Sequence, residues 1–132
     1  EADERLLAVV EHRPGDEELG SGADAAAELP MELFVMMPSC VPATHLESSG
    51  SRITPVDILG YTHKDGIAGV AELMNFPGVF LGMDSELAKI DAANHKAIDG
   101  HSPGLSGPNL NAYIMAGVRS DHECTTLEEA RE

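Results

Sequence analysis

Residues 33–38 read LFVMMP, five consecutive apolar side chains closed by a proline, and residues 67–73 read IAGVAEL. A short apolar run without alternation marks a strand buried on both faces, the setting of a parallel sheet. Between the two runs, Thr54 is placed to cap a helix over 54–62 and Pro55 suits its first turn. The pattern then repeats towards the C-terminus. Asp84 is expected to cap a helix reaching about residue 95, with Leu87, Ala88 and Ile90 on its apolar side. Ala97-Ile98-Asp99 reads as a third, short strand. Gly107-Pro108 opens a helix on which Leu110, Tyr113 and Ile114 share a face, and Gly117 closes it. Val118 to Asp121 reads as a fourth short strand, and Thr125 with Glu128 as a capping box for a last helix over 125–131. From residue 33 onwards the order is β-α-β-α-β-α-β-α. That is the α/β class, with a parallel sheet and right-handed crossovers. Pattern alone leaves an open sheet and an arc of a barrel both standing.

Upstream, residues 3–12 (DERLLAVVEH) gather Leu6, Leu7, Val9 and Val10 on one broad face and are expected to form an amphipathic helix. Residues 14–30 are bracketed by prolines and rich in Gly, Ala and acids. They read as a loop with a helical turn at 23–29. The expected organisation is an acidic helix and loop over 1–32, followed by a β/α unit over 33–132.

The 132 residues carry 23 acidic and 8 basic side chains, a formal charge of −15. Residues 1–32 hold −8 of it, and residues 121–132 hold −4. A binder of nucleic acid needs Lys and Arg to displace counterions, so that class is excluded. Adsorption to an anionic membrane is disfavoured for the same reason. No apolar run approaches the roughly 20 residues of a spanning helix, and no signal-peptide pattern opens the sequence. The charged ends read as solvated faces rather than as a partner-binding tail. Cys40 and Cys124 are too few and too far apart for a disulfide framework or a zinc finger, which points to the cytoplasm. Cys40 reads as a small buried hydrophobe rather than a nucleophile.

The chemistry gathers at the strand ends. The first strand ends at Pro38-Ser39-Cys40, the second at Glu72 followed by Asn75, the third at Asp99-Gly100-His101, and the fourth at Ser120-Asp121-His122-Glu123. Carboxyl ends of parallel strands share one face of an α/β domain, and that face carries active sites. Glu72, His101 and His122 are therefore expected to converge. Two imidazoles and a carboxylate suit a divalent transition metal, and the carboxylate can bridge two ions. Such an ion makes a coordinated water acidic enough to attack at neutral pH. Each histidine alone would more often be structural, but three such groups at successive strand ends shift the balance. His12, His45, His63 and His95 read as ordinary polar residues, with His45 set apart by its place after the first strand. The glycine-rich GHSPGLSG (100–107) lacks a Walker lysine and a dinucleotide fingerprint, so it reads as a loop that holds His101.

At these residues the sequence resembles a known family. FVMMPSCVPATHLESSG (34–50), ELMNFPGV (72–79), DGHSPGLSGPNLNAYIMAGV (99–118) and SDHECTTLEEA (120–130) are similar to the bacterial and archaeal adenine deaminases of the amidohydrolase superfamily. The likeness covers roughly residues 33–131. It implies a TIM-like (β/α)8 barrel whose binuclear centre, of manganese or iron with zinc a further candidate, hydrolyses adenine to hypoxanthine and ammonia. Carried over by motif, Glu72 would bridge the metals and His101 and His122 would bind them. Asp121 and Glu123 would join Glu72 in catalysis, and Ser39 and Asn75 would lie beside the base. The family's first-strand His-x-His and late proton-shuttling Asp have no counterpart here, and Ala71 stands where the family usually has Gly. The resemblance thus places the sequence in the centre of such an enzyme, about half a barrel. That half is expected to bind metal weakly, to turn over little adenine and to self-associate through its open sheet edges. Two other readings remain: an amidohydrolase acting on a cyclic amide or another purine, and a non-catalytic α/β scaffold.

Overall fold

The computed structural model describes residues 5–9 and 32–132. Five strands form one sheet: β1 (Arg5–Val9), β2 (Glu32–Met37), β3 (Ile67–Leu73), β4 (Ala97–Gly100) and β5 (Ser120–Asp121). They stand side by side in chain order, and every neighbouring pair is parallel. The helices are α1 (Pro55–Thr62), α2 (Phe76–Phe80), α3 (Asp84–Ala93) and α4 (Gly107–Ala116), and a 3-10 turn covers Glu129–Arg131. Since crossovers share one hand and the strand order never reverses, the connecting helices fall on one side of the sheet. All carboxyl ends then open onto a common rim.

The expected amphipathic helix over 3–12 is corrected by β1. Its residues 5–9 pair in parallel with residues 32–36 of β2. A stretch this short, with four apolar residues after Arg5, fits either periodicity, and the sheet edge supplies backbone partners that a short isolated helix lacks. The loop over 14–30, with its turn at 23–29, lies outside the described residues.

The central strands are covered on both faces. In β3, Ile67, Val70, Ala71 and Leu73 are buried, as are Val35, Met36 and Met37 of β2. Ile53, Ile58, Ile90, Ile98, Tyr113 and Val118 close the core around them. Helix α1 begins as its sequence foretells: Thr54 Oγ1 accepts the Asp57 amide and the Asp57 carboxylate accepts the Thr54 amide, a reciprocal cap.

Three details differ from expectation. In α3 the capping position is the extended Met83, while Asp84 belongs to the first turn. There its charge favours the helix N-terminus without a capping hydrogen bond. The buried face of α3 also includes Glu86 and Lys89, whereas Leu87 and Ala88 face outward. Lys89 Nζ reaches both carboxylate oxygens of Glu86 at 3.2 Å, so each charge enters the interior with its partner. At the C-terminus Thr126 and Glu129 exchange hydrogen bonds, one residue later than the expected Thr125 and Glu128, and in place of a helix over 125–131 there is only the 3-10 turn, which Glu128 precedes without a side-chain cap. Helix α2, whose Pro77-Gly78 pair carries little helix signal, has Asn75 as its cap.

No helix among the described residues is long and apolar enough to cross a membrane. Cys40 is buried and Cys124 exposed, and neither is in a disulfide.

Candidate metal centre

Three consecutive strands each deliver to the rim one side chain of a kind that can bind a metal. Glu72 lies near the end of β3, His101 directly follows β4, and His122 directly follows β5. Strand pairing aligns Leu73 with Gly100 and Gly100 with Asp121, so the donors fall in adjacent registers. One ligand atom from each lies within 4.8 Å of the other two.

The carboxylate of Glu72 is shared between the imidazoles. Oε2 stands 3.0 Å from His101 Nδ1, and Oε1 stands 3.0 Å from His122 Nε2. The two rings meet edge to face, with centroids 5.6 Å apart. His101 Nδ1 is shielded from solvent yet makes no hydrogen bond of acceptable geometry. A buried polar atom rarely lacks a partner, so this nitrogen, 3.0 Å from a Glu72 oxygen and 3.6 Å from a Glu123 oxygen, is available as a ligand atom. With two nitrogens and a carboxylate, the donor set fits a divalent ion of manganese, iron or zinc type.

The surroundings fix these donors. Asp99 Oδ2 lies 3.0 Å from His122 Nδ1, which turns Nε2 towards Glu72. The Ser120 hydroxyl donates to the other oxygen of Asp99 at 2.6 Å. Partial burial works against protonation of His122, but the carboxylates of Asp99, Glu72 and Glu123 outweigh it and raise its pKa. Glu123 Oε1 completes the group, 3.6 Å from His101 Nδ1 and 3.8 Å from His122 Nε2.

Asp121 sits one layer back. Its carboxylate accepts from the Ser102 amide at 2.7 Å, the Ser102 hydroxyl at 2.6 Å and the Glu123 amide at 2.8 Å. Burial opposes its ionisation, yet those three donors prevail and hold its pKa below the usual carboxylate range. Ser39 is fully buried, and its hydroxyl donates to the Glu72 backbone carbonyl at 2.6 Å. Asn75 is also buried; its side-chain oxygen accepts the Gly78 amide and lies 3.0 Å from His45 Nδ1. His63 and His95 stack on one another, centroids 4.5 Å apart, and belong to no such cluster.

No family model matches the chain. Curated relatives do. It is 51% identical over 118 residues to an adenine deaminase of Dehalococcoides mccartyi, covering 89% of this chain and 21% of that protein. An adenine deaminase of Methanoculleus marisnigri is 47% identical over 132 residues, 99% of this chain and 24% of its own length. One of Desulfatibacillum aliphaticivorans is 53% identical over 110 residues, 82% and 19% of the respective lengths. Over most of its length the chain is homologous to a segment of curated adenine deaminases. It spans about a fifth of the length of the curated relatives it matches.

In this segment, sequence reasoning brought Glu72, His101 and His122 together but missed two supports. Asp99 carried a usable signal, because residues 99 and 101 alternate onto the same side of an extended chain. Ser102 carried none, since its bond to Asp121 depends on how the loop after β4 folds back. Replacing Asp99 by Asn should lower affinity for a divalent ion about 10- to 100-fold by loosening the His122 ring. Calorimetric titration with Mn2+ measures it, and an unchanged affinity would deny Asp99 this role.

Proposed function

We propose that this chain contributes the metal-binding strand ends of an enzyme that deaminates adenine. The observation that carries the reading is the split contact of Glu72, whose two oxygens each face a different imidazole at 3.0 Å. A carboxylate so placed suits two neighbouring cations. Glu72, His101 and His122 would hold them, as manganese or iron, with zinc also fitting the donors. When bound, the ions supply Lewis acidity and make water a competent nucleophile near neutral pH.

The chain's own residues supply the rest. Asp99 holds His122 in one tautomer. Glu123 stands within 4 Å of both imidazoles, with its amide fixed by Asp121, and is the group positioned to take a proton from water and deliver it to the leaving nitrogen. In the net reaction, oxygen from water bonds to the amine-bearing carbon of adenine, the exocyclic C–N bond breaks, and ammonia leaves with hypoxanthine as product. Ser39 and Asn75 serve the base by shaping its surroundings: one fixes the backbone at Glu72, the other the turn into α2. A neutral purine also suits an acidic protein, which repels polyphosphates at range.

The sheet itself we read as an arc of a (β/α)8 barrel, over residues 33–132 with β1 before it. Strands in unbroken chain order are what a barrel requires, whereas a doubly wound sheet reverses its order. At the β5 edge a groove of about 660 Å3 runs past Leu110, Ile114, Met115 and Val118. Further β/α units, or a second copy of the chain, would cover it. We place the enzyme in the cytoplasm, without nucleic-acid or membrane partners.

Following the loss of adenine absorbance in the presence of Mn2+ tests the function. A full-length protein carrying this sequence should convert adenine and leave guanine and hydantoins untouched, while the 132-residue chain alone should show little turnover. Conversion of hydantoins but not adenine would move the reaction elsewhere in the superfamily. No conversion at all by the longer protein would favour a scaffold.

A further inference from the structure

Two of the donor-bearing strand ends are tied together by a single phenol. Tyr113 projects from α4 into the core and is fully buried. Its hydroxyl donates to the Leu73 carbonyl at 2.6 Å and accepts from the His101 amide at 3.3 Å. Leu73 is the residue after Glu72, so one oxygen atom holds the backbone beside the carboxylate donor and the backbone of an imidazole donor.

The sheet ladder is irregular close to this tie. Pairing between β3 and β4 shifts register between Val70 and Leu73, interrupting the regular ladder just below the donors. The phenol enters there because Gly100 leaves room: a Cβ at that position would come within 2.8 Å of Tyr113 Oη and of the Ser120 carbonyl. Phe76 of α2 packs against the ring edge to face, centroids 6.4 Å apart, and fixes its direction from the other side.

We propose that Tyr113 is a positioning residue of the cation site, setting the spacing between Glu72 and His101 through two backbone hydrogen bonds while touching no ion. This rests on reading Glu72, His101 and His122 as that site. Removing the hydroxyl leaves the buried Leu73 carbonyl and the partly buried His101 amide without their partner, and the strand ends must shift to recover one. Metal sites lose affinity steeply when the groups that orient their ligands are lost.

The test is titration of the full chain with Mn2+, followed by electron paramagnetic resonance, alongside the visible absorption bands of the Co2+ form. Tyr113→Phe should weaken Mn2+ binding about 10- to 100-fold and alter the Co2+ bands. Ile58→Val trims the same core at α1, away from the donors, and should leave both unchanged even where its melting temperature falls as far. Placing 4-aminophenylalanine at 113 restores a donor and should recover the affinity. Wild-type affinity and an unaltered Co2+ spectrum in Tyr113→Phe would overturn the inference while the metal site stands. A wild-type protein that binds neither ion would overturn the metal site itself, and the role of Tyr113 with it.

Discussion

Glu72→Gln should lower affinity for Mn2+ by about 100-fold or more, the largest functional loss expected from any single change here. Loss of groups that merely orient a ligand costs about 10- to 100-fold, and Glu72 is the shared ligand itself. Glutamine keeps the length and shape of the side chain but removes the negative charge and presents an NH2 group to one of the imidazoles. Both His101 and His122 then lose an anionic neighbour at 3.0 Å. The metal-free fold should hardly notice, because the Glu72 side chain is 29% exposed and anchors no core hydrogen bond. Calorimetric titration together with thermal melting separates the two effects. Undiminished affinity in the Gln variant would place the cations elsewhere.

For stability, the largest expected loss comes from Gly69→Ala. Gly69 sits mid-strand in β3, paired with Met36 on one side and Ala97 on the other. A Cβ there would lie 2.3 Å from the Ala97 carbonyl oxygen and 2.8 Å from Met36 Cε. The methionine end can swing away, but the carbonyl belongs to the neighbouring strand and can move only if β4 moves. Overpacking of this kind costs about 3 kcal/mol, which in a domain of this size corresponds to roughly 10 °C in melting temperature. Gly60→Ala is the natural control, since a Cβ on that α1 residue meets nothing within 4 Å. If the two variants melted alike, the close approach at Gly69 would carry no strain.

How much of this could be read from sequence depended on whether the signal was local. The bounds of β3 and the capped start of α1 followed from runs and caps confined to a few residues, and both stand as expected. The gathering of Glu72, His101 and His122 followed from one rule about parallel strands. Failures occurred where a distant partner decides. Residues 5–9 are a strand because β2 lies beside them. Glu86 and Lys89 turn inward because each neutralises the other, which inverts the usual hydrophobic test for a buried helix face. Tyr113 looked like one more core aromatic, and nothing in its neighbours along the chain announces a hydroxyl aimed at Leu73, forty residues earlier.

The unbroken strand order has an implication for ancestry and engineering. Because β3, β4 and β5 are neighbours both in the chain and in space, the three donors and, Ser39 apart, the side chains that steady them lie in one continuous cassette from residue 72 to residue 123. Such a block can be duplicated, transplanted into another singly wound scaffold or inherited through recombination without scattering its parts. A site assembled from remote strands has no such portability.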